Sequence, residues 1–365
     1  MAQTTVNSAN QVDQWQKRFF KEYVRATRFN SAMGKSTNAI IQLNEDLGRM
    51  AGDDITMSLV TRLTNSGVTG DNTLMGNEEA LGNYGHKITV DQVRNAVVVG
   101  KMEQQKTFIG LLAAAREQLK MWAMSKLRDD IIARMWSPNT DGTTTYANST
   151  AAQRDAWLDA NYTSATNSRV QFGAVMTNVK QTAPAGGATN DHSASLDEID
   201  NTTDQLTPAG VSLARRLAKT ADPHIRPVRI GQDEEWYVLY AGSLPFRDLN
   251  QHATMTAANR DARTRGENNP LFSAGDLLWD GVIIKEIPEI GVVANAAINC
   301  GANFLCGAQA LGIAWASRTK AIEHIDDYKN QHGVGVAEIR GVEKLTYNDV
   351  DHGLFTYYTA AVADT

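Results

Sequence analysis

Residues able to do chemistry are plentiful in this 365-residue chain, but few stand at the spacings that chemistry requires. Gly34-Lys35-Ser36-Thr37 has the ending of a phosphate-binding loop. That loop needs another glycine five residues before Gly34, so that successive backbone N–H groups curl around the phosphates, and position 29 is Phe. A helical pattern rather than a strand precedes it, which leaves a nucleotide-binding enzyme as a remote alternative. The seven histidines (86, 192, 224, 252, 324, 332 and 352) contain no H-E-x-x-H and no metal-ligand spacing. Cys300 and Cys306, with five residues between them, do not match a zinc knuckle and read as small core residues. No Gly-x-Ser-x-Gly elbow is present, and no pair of carboxylates singles itself out as acid and base. The expectation is therefore no enzyme, no cofactor and no metal.

The elements around these residues explain more than the residues do. With 42% hydrophobic and 21% charged residues, the chain can bury one large core or two moderate ones. A net charge of −6 argues against a surface that binds nucleic acid throughout. The imbalance is local: residues 1–50 hold seven Lys/Arg against four Asp/Glu, a charge of +3, so the remainder carries −9. Two cysteines predict a reducing cytoplasm, and the polar start M-A-Q-T-T-V-N-S lacks the blocks of a signal peptide. The sequons at Asn148, Asn161 and Asn201 then carry no meaning. Ile290 to Ser317 is uncharged, but Asn295, Asn299, Asn303, Gln309 and four glycines interrupt it. It reads as strand, turn and buried small-residue helix, with no membrane span.

Residues 11–29 read as an amphipathic helix, with Trp15, Phe19 and Tyr23 on one face and Arg18, Lys21, Arg25 and Arg28 roughly opposite. Two readings stay open for it: a surface helix with solvated charges, or a basic arm facing an anionic partner. Between Asp54 and Val99 the spacing predicts two strands. Ile55, Met57, Leu59 and Leu63 keep odd spacing, and Ile88, Val90, Val93, Val97 and Val99 form a second run with a slip at Asp91–Gln92 that suggests a bulge or a bend. A polar, Gly-rich span from Thr64 to Gly85 joins them, too long for an ordinary turn. Two strands alone are marginal in water, so this ribbon needs another surface, and a second copy of the chain is the nearest candidate.

Gln104 to Trp136 reads as one long helix, stopped by Pro138. Asn139 to Asn190 shifts to Thr, Asn, Ser, Ala and Gly and reads as an insertion with limited regular structure. Thr207 and Pro208 open a helix to Lys219. Strands are expected at Arg226–Ile230, Trp236–Tyr240, Gly281–Ile287, Val334–Arg340 and Leu354–Val362. Without regular βαβ alternation, the fold class is α+β.

In this order the chain resembles a tailed-bacteriophage major capsid protein of the Hong Kong 97-type fold, within the family typified by phage N-four. The likeness rests on G-D-D-I-T-M-S-L-V at 52–60 and G-V-T-G-D-N-T-L-M-G-N-E-E-A-L at 67–81. It continues in L-W-D-G-V-I-I-K-E-I-P at 278–288, C-G-A-Q-A-L-G-I-A-W-A at 306–316 (the family's buried helix), D-Y-K-N-Q at 327–331 and G-V-E-K-L-T-Y-N-D-V-D-H-G-L-F at 341–355. The resemblance implies an N-terminal arm (1–52), an extended hairpin loop (53–100) lying on a neighbouring subunit, and a peripheral domain (101–204). That domain would carry a spine helix at 104–137 and the insertion at 139–195. An axial domain (205–322) and a return to the peripheral domain (323–365) would follow.

Candidate contacts between subunits are Asp71, Glu78 and Glu79 on the loop tip, Ile55, Met57 and Leu59 on its first strand, and Val97. Arg18, Lys21, Arg25 and Arg28 would face inward. The partners implied are further copies of the chain in pentamers and hexamers, a scaffolding protein, a portal and a decoration protein. Packaged double-stranded DNA would be contacted non-specifically, and no membrane. The shell would assemble in the host cytoplasm. An encapsulin-like compartment is the alternative with the same fold. Some relatives weld subunits through a loop lysine; here Lys87 is the only Lys between 51 and 100 and sits at a strand base, so no cross-link is expected.

Overall fold

The computed structural model describes residues 29–46, 52–106, 111–182, 189–229, 234–263, 277–294 and 298–364. The expected amphipathic helix and its Arg18, Lys21, Arg25 and Arg28 lie outside the described residues. Two sheets organise the rest. The first runs in the order β1-β2-β11-β12-β5, from β1 (Met33–Gly34) and β2 (Ile41–Asn44) to the long hairpin β11 (Leu311–Asp326) and β12 (Gln331–Lys344), and ends on β5 (Asp91–Gly100). The second runs in the order β8-β9-β7-β10-β13-β6. Its strands are β6 (Val170–Phe172), β7 (Glu235–Ala241), β8 (Leu277–Trp279), β9 (Val282–Glu286), β10 (Asn299–Cys306) and β13 (Leu354–Ala360). Two short strands, Val228–Arg229 and Val292–Ala294, pair at its margins.

Alternation along the second sheet explains how it is buried on both faces. In β7, Tyr237, Leu239 and Ala241 enter one cluster while Val238 and Tyr240 enter the other. β13 divides in the same way, with Phe355 and Tyr357 on one side and Leu354, Tyr358 and Ala360 on the other. One face is covered by the helix Pro208–Thr220, whose N-cap Thr207 accepts a hydrogen bond from the Gly210 N–H, as the sequence predicts. Both cysteines are free and buried here. Burial pushes the Cys300 thiol up to about 11 and Cys306 higher still, so both behave as small core residues.

The long helix is described over Leu111–Met135, and Lys101–Lys106 is also helical. Ala115, Leu119, Ala123, Leu127 and Ile131 form a buried stripe at i+4 spacing, which lays the helix against the first sheet. At 1.5 Å per residue it is about 37 Å long.

Three expectations change. The slip at Asp91–Gln92, expected as a bulge or a bend, is the point where the chain leaves one strand partner for another, so the bulge is ruled out. Asn83–Thr89 pairs with Asp54–Val60, whereas Asp91–Gly100 pairs with the hairpin strand Gln331–Lys344. The segment 306–316 is not a buried helix: it ends β10, turns at Gln309 (φ 57°) and opens β11. The insertion is more regular than its composition suggests. It contains a helix at Ala151–Asn161 closed by a Thr150–Gln153 capping box, and it supplies β6 to the second sheet.

A buried ion pair joins these parts. Lys344 Nζ lies 2.9 Å from Asp351 Oδ2 and donates to the Ser137 carbonyl at 2.6 Å, at the end of the long helix. Trp157 donates its indole N–H to the same Asp351 carboxylate at 3.2 Å. Burial pushes the Lys344 ammonium down, and Asp351 opposes that by favouring the charged form. Removing one partner of such a pair costs about 3–5 kcal/mol, because the other charge stays buried.

Candidate assembly interface

β3 (Asp54–Val60) and β4 (Asn83–Thr89) form a hairpin paired from Asp54↔Thr89 to Val60↔Asn83. Its base rests on the first sheet. Met57 and Ile88 are buried with Ala314 and Leu345, and Ile55, Val90 and Tyr347 pack around them. The seat exists because the facing strands are small there. A Cβ on Gly312 would stand 2.5 Å from Ile88 Cδ1, and one on Gly341 would collide with the Thr89 carbonyl oxygen.

Polar groups close the base. His86 Nε2 lies 3.1 Å from Glu343 Oε2 and His86 Nδ1 lies 3.1 Å from the Thr346 carbonyl, with both side chains buried. The other Glu343 oxygen accepts the Thr89 N–H at 3.0 Å, and the Tyr347 hydroxyl donates to the Met57 carbonyl at 3.3 Å. Lys87 pairs with Asp54 at 2.5 Å on the hairpin's outer face.

Beyond Val60 the chain continues to Gly82 without strand structure. Glu79 holds this tip together by accepting the N–H groups of Thr64 (2.6 Å) and Asn65 (2.8 Å) and the Thr64 hydroxyl (3.0 Å). Those backbone bonds keep its carboxyl below the ordinary value of 4.5. Glu78 accepts the Gly76 N–H at 2.8 Å. Gly70 and Gly76 have φ of 69° and 89°, which turn the chain in ways side chains resist. Leu63, Leu74, Met75 and Leu81 are all exposed, Met75 to 83%. Arg62 reaches the subunit body, 3.3 Å from Asp222 Oδ1.

The residues expected to touch a neighbour therefore separate into groups. Ile55 and Met57 pack within their own subunit. Val97 is partly buried in the main core, paired with Val334. Leu59 is half-buried at a groove of about 560 Å³ that Arg169, Asp222 and His352 also line. Asp71 and Glu78 are exposed, while Glu79 is half-buried in its clamp. Sequence reasoning did not single out the exposed Leu74, Met75 and Leu81, although they stand in the segment it highlighted. His86 and Glu343, 257 residues apart, carried no sequence signal of their pairing.

Gly34 ends a two-residue strand, turns follow, and the chain enters β2 rather than a helix, so no phosphate cradle forms. Lys35 pairs with Glu45 at 2.7 Å. Among the described residues no group of His, Cys, Asp and Glu could hold a metal, and no helix is long and apolar enough to cross a membrane.

Comparison with known proteins agrees along the whole chain. A family model described as "Phage capsid protein" matches residues 3–363. The major capsid protein of Pseudomonas phage KPP25 is 29% identical over 95% of this chain and 94% of its own. The capsid asymmetric unit of cyanophage Pam1 is 32% identical, covers 100% of both chains and has a TM-score of 0.82. The capsid of Ralstonia phage GP4, 22% identical over 93% of this chain and 92% of that one, shares the fold with a TM-score of 0.70.

Proposed function

The chain belongs to the phage capsid protein family and is a phage major capsid protein; from that premise we propose that its copies close into an icosahedral shell of the Hong Kong 97 type around the double-stranded DNA of a tailed bacteriophage. The observation that carries this reading is the end-to-end match to a capsid subunit, joined to a hairpin whose base is seated and whose tip is bare. A tip that exposes Leu63, Leu74, Met75 and Leu81 gains by crossing to a neighbouring copy. Each such contact need only be modest, since a closed shell links many of them.

The finer parts of the reading follow from charge. The +3 segment 1–50 suits an inner face that meets a scaffolding protein during assembly in the host cytoplasm and DNA afterwards, while the −9 remainder limits non-specific sticking. Portal and decoration proteins would complete the particle, and the subunit itself would have no enzymatic role. An encapsulin-like compartment is disfavoured, because the relatives named above are phage capsids. Electron micrographs of the purified protein, alone and with a scaffold, test the reading. Closed shells are expected, and subunits that never close with or without a scaffold overturn it. Reversing the charges of Arg18, Lys21, Arg25 and Arg28 should reduce DNA retention.

A further inference from the structure

Two guanidinium groups on the subunit body lack carboxylates to neutralise them. Arg169 is 2% exposed, and its guanidinium donates only to backbone carbonyls, that of His352 at 3.2 Å and that of Pro223. The Arg226 side chain makes no hydrogen bond or ion pair among the described residues. Its backbone is fixed all the same: the Arg226 carbonyl accepts the Ala308 N–H at 2.7 Å, and a Cβ on Gly307 would collide with it. A buried cation is costly unless an anion meets it. Burial lowers the Arg169 guanidinium to about 10, and Asp351 and Asp222 oppose that from a distance. Burial, and after it Arg169, Arg226 and His224, hold His352 down at about 4, the mark of a locally positive field.

Arg169, Arg226, His224 and His352 all line the groove of about 560 Å³ between the hairpin loop and the body. The acids that share this groove are already engaged. Asp222 pairs with Arg62 at 3.3 Å, and Glu79 accepts the Thr64 and Asn65 N–H groups. Asp351 Oδ2 pairs with Lys344, whereas Asp351 Oδ1 is buried with no donor among the described residues. The other walls are flat or apolar: Tyr84, 41% exposed, and Leu59 come from the hairpin, and Tyr347 from the body. One groove thus holds uncompensated guanidinium groups, an open buried acceptor and aromatic walls.

We infer that this groove binds a free nucleotide, with its phosphate on Arg169 and Arg226, its base against Tyr84 and a ribose hydroxyl donating to Asp351 Oδ1. Guanidinium groups present paired N–H donors that match phosphate oxygens, and a phosphate supplies the charge the two arginines lack. The groove's volume is that of a pocket enclosing a small organic ligand, and a DNA duplex is too wide to enter it. One wall belongs to the loop and the other to the body, so the ligand would tie the two together, as the Arg62–Asp222 pair already does. Binding at this groove does not depend on the copies closing into a shell.

Equilibrium dialysis of the purified protein against AMP tests this, with adenosine, inorganic phosphate and a single-stranded oligonucleotide dialysed alongside. AMP should bind, and adenosine, which cannot make the charge-assisted bonds, should bind about tenfold or more weakly. Arg226→Glu should weaken AMP binding by about tenfold or more at an unchanged melting temperature, because its side chain has no partner to lose. Tyr84→Ala should weaken AMP binding and leave inorganic phosphate unaffected. The site is overturned if wild-type protein binds no AMP, if Arg226→Glu binds it equally well, or if inorganic phosphate binds as tightly as AMP. Capture of the oligonucleotide without AMP would move the ligand to a nucleic-acid strand and overturn the free-nucleotide site as well.

Discussion

The base and the tip of one hairpin have opposite physical characters. At the base, Met57 and Ile88 are buried, Glu343 uses both oxygens, and glycines 312 and 341 leave no spare volume. At the tip, local bonds from Glu78 and Glu79 shape the backbone, and the apolar side chains face outward. The base is built like a core and the tip like half of an interface. If the tip meets a neighbour as proposed, a subunit made this way fixes the direction of its arm beforehand, which lowers the ordering cost of each contact.

Shortening the tip to a tight turn between Val60 and Asn83 should break the comparison most visibly. The subunit should keep its melting temperature within a degree or two, because surface changes away from packed features cost about 0.5 kcal/mol or less. Shell formation, read by sedimentation, should be abolished. Normal particles from this variant would mean that the tip is not an interface.

A milder change at the base should have the reverse signature. Gly341→Val forces a side chain against the Thr89 carbonyl and Ile88, and overpacking of that kind costs about 1–3 kcal/mol. The expected outcome is a lower melting temperature of the isolated subunit, with the remaining folded fraction slow to assemble because its arm points wrongly. An unchanged melting temperature would show that the seat is softer than its geometry.

Much of this contrast was legible in the chain, and the illegible parts share a cause. Period-2 spacing of Ile55, Met57 and Leu59 located the first strand, and the phase slip near Asp91 located the partner change, though it read as a bulge or a bend. A bulge and a switch of sheets leave the same trace in one sequence, since each shifts which side chains face inward. The stretch 306–316 read as a helix because small apolar residues do not declare a period. Its strand state is fixed by what covers it, Ile88 and Met57 above Gly312, and that contact spans more than two hundred residues. The Thr150–Gln153 capping box was visible as T-A-A-Q and was masked by the polar composition around it.

The smallest expected effect separates tip from base by acidity. Glu79 has its carboxyl held below 4.5 by the Thr64 and Asn65 N–H groups. A group depressed in the folded state contributes order above its unfolded pKa and loses it as pH falls through the lower folded value. Amide exchange at Thr64 and Asn65, corrected for its intrinsic pH dependence, should therefore stay protected above about pH 4.5 and lose protection progressively below it. Glu79→Gln should lose part of that protection at neutral pH, since the neutral amide oxygen accepts more weakly than a carboxylate. The Thr89 amide, held by buried Glu343 at the base, should keep its protection in the same variant at neutral pH. Equal losses at both amides would mean that base and tip open as one unit, and that the contrast between them is one of exposure alone.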